Sequence, residues 1–109
     1  MSGVSAGALR HRLTLEERVK VDDGGGGFSE SWDTVTTLWG AIRPVRGDEQ
    51  LVAGRLAGNV SHLITLRYRE GVVPEMRFRQ GDRLFEIHAV IDPDERKCWL
   101  RCSCEERGL

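Results

Sequence analysis

The sequence predicts a small, mainly β, antiparallel domain, and three observations carry the prediction. Several stretches alternate apolar and polar residues with a period of two, the pattern of half-buried strands. Short clusters of glycine, proline and aspartate, which turn a chain sharply, separate them. Helical spacing occurs only in residues 48–57. At 109 residues the chain has room for one modest core and not for two.

Residues 1–8 are mostly small, with little to bury, and are expected to form a flexible arm ahead of a single domain over 9–109. In 9–21, Leu9, His11, Leu13, Leu15, Val19 and Val21 share one parity, interrupted by Glu17, while Arg10, Arg12, Thr14, Glu16 and Arg18 form the wet side of a first strand. It ends at Asp22-Asp23-Gly24-Gly25-Gly26-Gly27 before Phe28. Four glycines cannot hold a strand, and the run lacks the lysine and serine of a phosphate-binding loop. It is read as a long, flexible hairpin tip.

Extended character resumes over 32–45 with apolar residues on both faces. This strand lies between core and partner, or changes face at Gly40 through a bulge. Trp32 and Trp39 serve the core, or one of them serves a subunit interface. Asp48 can cap a short helix carrying Glu49, Gln50, Leu51, Val52, Arg55 and Leu56. The next strand, 59–69, puts Val60, His62, Ile64, Leu66 and Tyr68 on one face.

A short strand at 76–79 is expected to pair back onto 59–69, with Tyr68 facing Met76, Leu66 facing Phe78 and Arg67 opposite Arg77. In 83–91, Phe85, Ile87, Ala89 and Ile91 share a face, and residues 92–95 (Asp-Pro-Asp-Glu) turn the chain. The resulting hairpin pairs Ala89 with Cys98, Ile87 with Leu100 and Phe85 with Cys102, and sets Glu86 against Arg101 and His88 against Trp99.

Sixteen basic residues face 17 acidic ones, so general attraction to DNA or acidic membranes is not expected. No apolar run approaches the roughly 20 residues that span a bilayer, and no signal-peptide core opens the chain; the expected compartment is the cytoplasm. Cys98, Cys102 and Cys104 are too few and too close for a disulfide framework. With His88 nearby they still lack the paired knuckles of structural zinc, and read as buried thiols. No carboxylate pair, nucleophile elbow or His-Glu-x-x-His motif stands out, and no cofactor is expected. Arg67, Arg69, Arg77 and Arg79 are expected to cluster, but the aromatics share the opposite parity, so a single-strand stacking platform is missing.

Taken in order, Trp32, the stretch Leu38-Trp39-Gly40-Ala41-Ile42-Arg43-Pro44, Gly47-Asp48-Glu49, His62-Leu63-Ile64-Thr65-Leu66-Arg67-Tyr68, Pro74-Glu75-Met76-Arg77 and Gly81-Asp82-Arg83-Leu84-Phe85-Glu86-Ile87 resemble the head-tail joining proteins of long-tailed bacteriophages. These are also called head closure, stopper or head-tail adaptor proteins, and relatives occur in prophages and gene-transfer agents. The resemblance runs from about residue 9 to 105 and implies a small antiparallel β-barrel or sandwich of about six strands with one short helix. It implies a non-catalytic virion protein in a ring below the portal, which closes the filled capsid or docks the tail. The implied partners are portal or adaptor ring, tail proteins and further copies of the chain, with passive contact to packaged DNA and none to membrane. The implied location is the virion's head-tail interface, after assembly in the host cytoplasm.

Candidate interface residues on this reading are Trp32, Trp39, Glu49, Arg67, Arg69, Arg77 and Arg79, with Asp22 to Phe28 as a channel or docking loop. The arginines are expected to meet acidic loops such as 92–95. A tail-completion subunit and a small single-stranded nucleic-acid-binding barrel are the alternative functions. The cysteine-rich last strand departs from the family's pattern.

Overall fold

The computed structural model describes residues 6–46 and 59–107. A 3-10 turn, Ala6–Ala8, leads into β1 (His11–Asp22), β2 (Phe28–Pro44), β3 (His62–Arg67), β4 (Arg77–Gln80), β5 (Arg83–Ile91) and β6 (Trp99–Arg107). The strands close into a barrel in the order β1-β2-β3-β6-β5-β4, and every neighbouring pair is antiparallel. Closure pairs every barrel strand on both sides and so removes the sheet edges. The expected helix at 48–57, with Glu49, and the first five residues of the expected arm lie outside the described residues.

The alternating residues fill the inside. Leu13 and Leu15 of β1, Ile64 and Leu66 of β3, Phe78 of β4, Phe85 and Ile87 of β5, and Leu100, Cys102 and Cys104 of β6 are buried, and Val72 and Met76 of the β3–β4 loop join them. Gly40 of β2 faces the same core. A Cβ there would stand 2.8 Å from Leu13 Cδ1 and 3.3 Å from the Thr65 carbonyl oxygen, so any larger residue would make Leu13 turn aside and the strands give slightly. The bulge in β2 is not at Gly40, however. Leu15 pairs with Thr36 and Glu16 with Thr34, which makes Val35 the extra residue.

Two strand pairings differ from the sequence expectation. β4 does not return onto β3; it pairs with β1, Leu15 opposite Phe78, and with β5, Phe78 opposite Phe85. Barrel closure is the reason: β3 already has β2 and β6 on its flanks. Arg67 therefore faces Trp99, and Arg77 faces Glu86 and Glu16. The β5–β6 hairpin forms with a different register, Ile87 to Cys104, Val90 to Cys102 and Ile91 to Arg101. His88 is skipped in that ladder, so the inward parity changes there. Val90, not Ala89 or Ile91, packs on the core, and Ile91 is 51% exposed.

The turn that joins these strands is longer than four residues. Asp92 organises it, its carbonyl accepting from the Glu95 amide and its carboxylate from the Lys97 amide. Cys98 consequently sits exposed at the tip rather than on the strand, and only Cys102 and Cys104 are buried.

Candidate partner-binding surfaces

Beyond the barrel, β1 and β2 continue as a two-stranded ribbon. Among the described residues the pairs from Glu17–Asp33 to Asp22–Phe28 have no third strand beside them, so this ribbon projects as an arm of roughly 20 Å at 3.3–3.4 Å per residue. The molecule measures 51 × 28 × 27 Å. At the tip, Asp23 Oδ1 accepts from the amides of Gly25 and Gly27, Asp22 Oδ1 accepts from the Gly24 amide, and the Asp23 amide donates to the Gly27 carbonyl. Gly24 and Gly26 have φ of 82° and 85°, which glycine adopts without strain. With no core beneath the ribbon, Val21 is exposed, and Phe28 is 71% exposed.

A charged knot fixes the arm where it leaves the barrel. Glu16 shares its face with Thr14, as the alternation requires, yet it is 1% exposed rather than wet. Arg77 Nε donates to its Oε1 at 2.7 Å and Arg79 Nη2 donates to its Oε2. Trp32 covers Arg77 at 4.0 Å and also stacks beside Arg18 at 5.3 Å, while Arg18 pairs loosely with Glu30. A carboxylate this deep is stable only with hydrogen-bonded cations. The bulge at Val35 and this knot together set the arm's exit.

A second surface lies at the other end of the β1–β2 ribbon. Leu38, Trp39, Leu66, Tyr68, Arg67 and Arg69 line a mainly apolar groove of about 240 Å³. Trp39 is half exposed with the Arg12 guanidinium 5.5 Å from its ring, and Arg67 lies 5.5 Å from the Trp99 ring.

On the β5–β6 wall, Glu86, His88 and Glu105 bring three ligand-type atoms within 4.8 Å of one another. Arg107 bridges Glu86 and Glu105 at 3.1 and 3.3 Å, and His88 Nε2 meets Glu105 at 3.0 Å, so the carboxylates already have cationic partners. Nearby, Arg83 grips Glu106 with two bonds of 2.8 and 3.1 Å. That hydrogen bond holds the Glu106 carboxyl below its ordinary pKa and raises that of Arg83. His62 packs edge-on to Phe85 and is bonded to Ser61 at 2.9 Å. Burial lowers its pKa, with Glu106 opposing and Arg83 reinforcing. Burial also pushes Cys102 up to about 12 and Cys104 well above the usual thiol value.

A profile of phage head completion proteins matches residues 4–107. The chain belongs to the phage head completion protein family. Two solved structures resemble this family member. One is a chain from the virion of a native gene transfer agent particle, with 32% identity, a TM-score of 0.66, and 91% of this chain and 96% of that one covered. The other is the solution structure of protein SF1141 from Shigella flexneri 2a, with 25% identity, a TM-score of 0.75, and 94% and 96% covered. Among curated proteins none matches.

The structure does not gather the expected arginines. Arg67 and Arg69 flank the groove near β3, whereas Arg77 and Arg79 lie on β4, three strands away in either direction around the barrel. Trp32 roofs Arg77, and Trp39 borders the groove, so neither tryptophan is in the barrel's central cluster. Sequence reasoning missed Glu16, whose parity alone pointed to solvent. Its only sequence signal was a pair of arginines at i and i+2 on a distant strand.

Proposed function

We propose that this head completion protein is a subunit of the head-tail connector, forming a ring below the portal that closes the filled capsid or docks the tail. The observation that carries the reading is the correspondence with a gene transfer agent virion chain over 96% of that chain at 32% identity.

The geometry supports an action by shape and contact. Two surfaces suited to protein partners, an arm and a groove, lie at opposite ends of one ribbon, and a ring subunit needs two different surfaces to meet two neighbours. The polar constellations of the barrel wall are mutually neutralised, which suits a structural role without catalysis or cofactor. The portal or adaptor ring and the tail proteins are the partners, further copies of the chain complete the ring, and packaged DNA passes through it. The working location is the head-tail interface of the particle, reached after assembly in the host cytoplasm.

Particles produced without this protein test the reading. Electron microscopy is expected to show filled heads that leak DNA and carry no tails. Intact tailed particles would overturn the proposal, and attached tails that are merely incomplete would transfer the protein to tail completion.

A further inference from the structure

We infer that the β1–β2 arm of one subunit docks, Phe28 first, into the Trp39 groove of the next copy of this chain. Charge is the first argument. The arm, residues 17–33, carries Glu17, Asp22, Asp23, Glu30 and Asp33 against only Arg18 and Lys20. The groove is flanked by Arg12, Arg67 and Arg69, which are held by Thr37, by tryptophan rings and by the Glu70 carbonyl. Among the described residues no carboxylate forms an ion pair with any of the three. An acidic tip and a basic rim steer the two surfaces together and orient them.

Apolar matching is the second argument. Among the described residues Phe28 is the most exposed of the large hydrophobic side chains, and the groove offers Leu38, the half-exposed Trp39 and Tyr68. An aromatic anchor entering an apolar pocket with a charged rim is the common anatomy of a binding hot spot. Position is the third. The groove lies at the Arg12–Trp39 pair and the tip at Asp22–Phe28, ten residue steps along one ribbon, or roughly 33 Å. The surfaces are different and remote, so the contact between copies is head-to-tail and closes as a ring when the rotation per subunit allows.

The inference rests on the connector reading and names the contact that reading requires. Nuclear magnetic resonance of the isotope-labelled full chain tests it directly, in a dilution series reaching the millimolar range, where even contacts worth about 4 kcal/mol are half formed. The Phe28 amide and the Trp39 indole N–H are expected to shift together, and added salt should weaken the change. Phe28→Ser in the arm, and Trp39→Ser with Arg67→Glu in the groove, should each weaken association about ten-fold or more. Mixing the two variants restores one arm and one groove, so a one-to-one dimer is expected that grows no further.

A parent chain with no such shifts, variants that associate like the parent, or a mixture that stays monomeric would each overturn the contact. If the groove pair lowers the unfolding midpoint, Arg67→Glu alone takes its place. In the producing host the two readings fail separately. Tailed particles without the protein would refute the connector, whereas tailless particles without it, alongside normal ones with Phe28→Ser, would refute only the arm-in-groove contact.

Discussion

Removing the Glu16 carboxylate leaves Arg77, largely buried under Trp32, without its anion. Glu16→Ala is therefore expected to cost about 3 kcal/mol or more, the scale for breaking a buried pair from one side. Arg79→Ala, at a half-exposed partner, should cost under about 1 kcal/mol. Urea unfolding of both variants checks the ordering. Arg77→Glu would destabilise the subunit itself, so it cannot serve as an interface probe, whereas the exposed Arg67 can. Thiol chemistry is equally residue-specific. Cys98 should react with a soluble thiol reagent in the native protein, while Cys102 and Cys104, buried and held protonated, should react only on unfolding.

His62 and Glu106 give the pH response its sign. The histidine's pKa lies below its ordinary 6.5, so the unfolded chain takes up its proton first. Its contribution is fully present above 6.5 and is lost as pH falls from there to the lower folded value. Glu106 acts in the same direction at lower pH, since Arg83 holds its carboxyl below the ordinary 4.5. Unfolding midpoints are expected to fall on acidification, and His62→Gln should flatten the step that begins near 6.5. A resonance titration of the His62 ring reads the same group directly.

At the scale of elements, the arm and the barrel should respond differently to a protease. The glycine tip, residues 24–27, stands clear of the barrel, and exposed small-residue tips are preferred cleavage sites. Limited digestion should cut there first and leave the barrel folded, because the nick spares the pairs of β1 and β2 inside it. Mass spectrometry of the early products measures this. Strand positions and the β1–β2 and β5–β6 hairpins were legible in the sequence, since a period of two and turn residues are local signals. Partners were less legible. Residues 76–79 offered Met76 and Phe78 as a suitable face for β3, yet Phe78 also fits β1, and only ring closure decides between them. Likewise no sequence period announces the longer turn over 92–98 or the skipped His88, so the expected β5–β6 register went astray by four to five residues. The groove was half visible: Trp39, Arg67 and Arg69 were singled out, but the strand pairings brought them together and sent Arg77 and Arg79 elsewhere.

For the whole molecule, closure couples distant parts of the chain. β1 meets β4 through pairs such as Leu15–Phe78, so the last seam joins residues more than 60 positions apart. Non-local pairing of this kind makes folding slow, in the millisecond-to-second range. Stopped-flow tryptophan fluorescence should show refolding on that scale. Fluorescence and circular dichroism should also report one coincident unfolding transition for the barrel, as expected of a single small domain.

The ribbon beyond the barrel has a further consequence, one of isotope exchange rather than of shape. Along residues 17–22 and 28–33, every second amide in an antiparallel pair points away from the partner strand, and among the described residues no third strand receives it. In heavy water these amides should exchange quickly while the ones between them are protected, giving two short runs of alternating fast and slow sites. If a neighbouring subunit seats itself against one flank of the ribbon, the fast sites of that flank alone should slow. The exchange pattern would then record which side of the arm is occupied in the assembled particle.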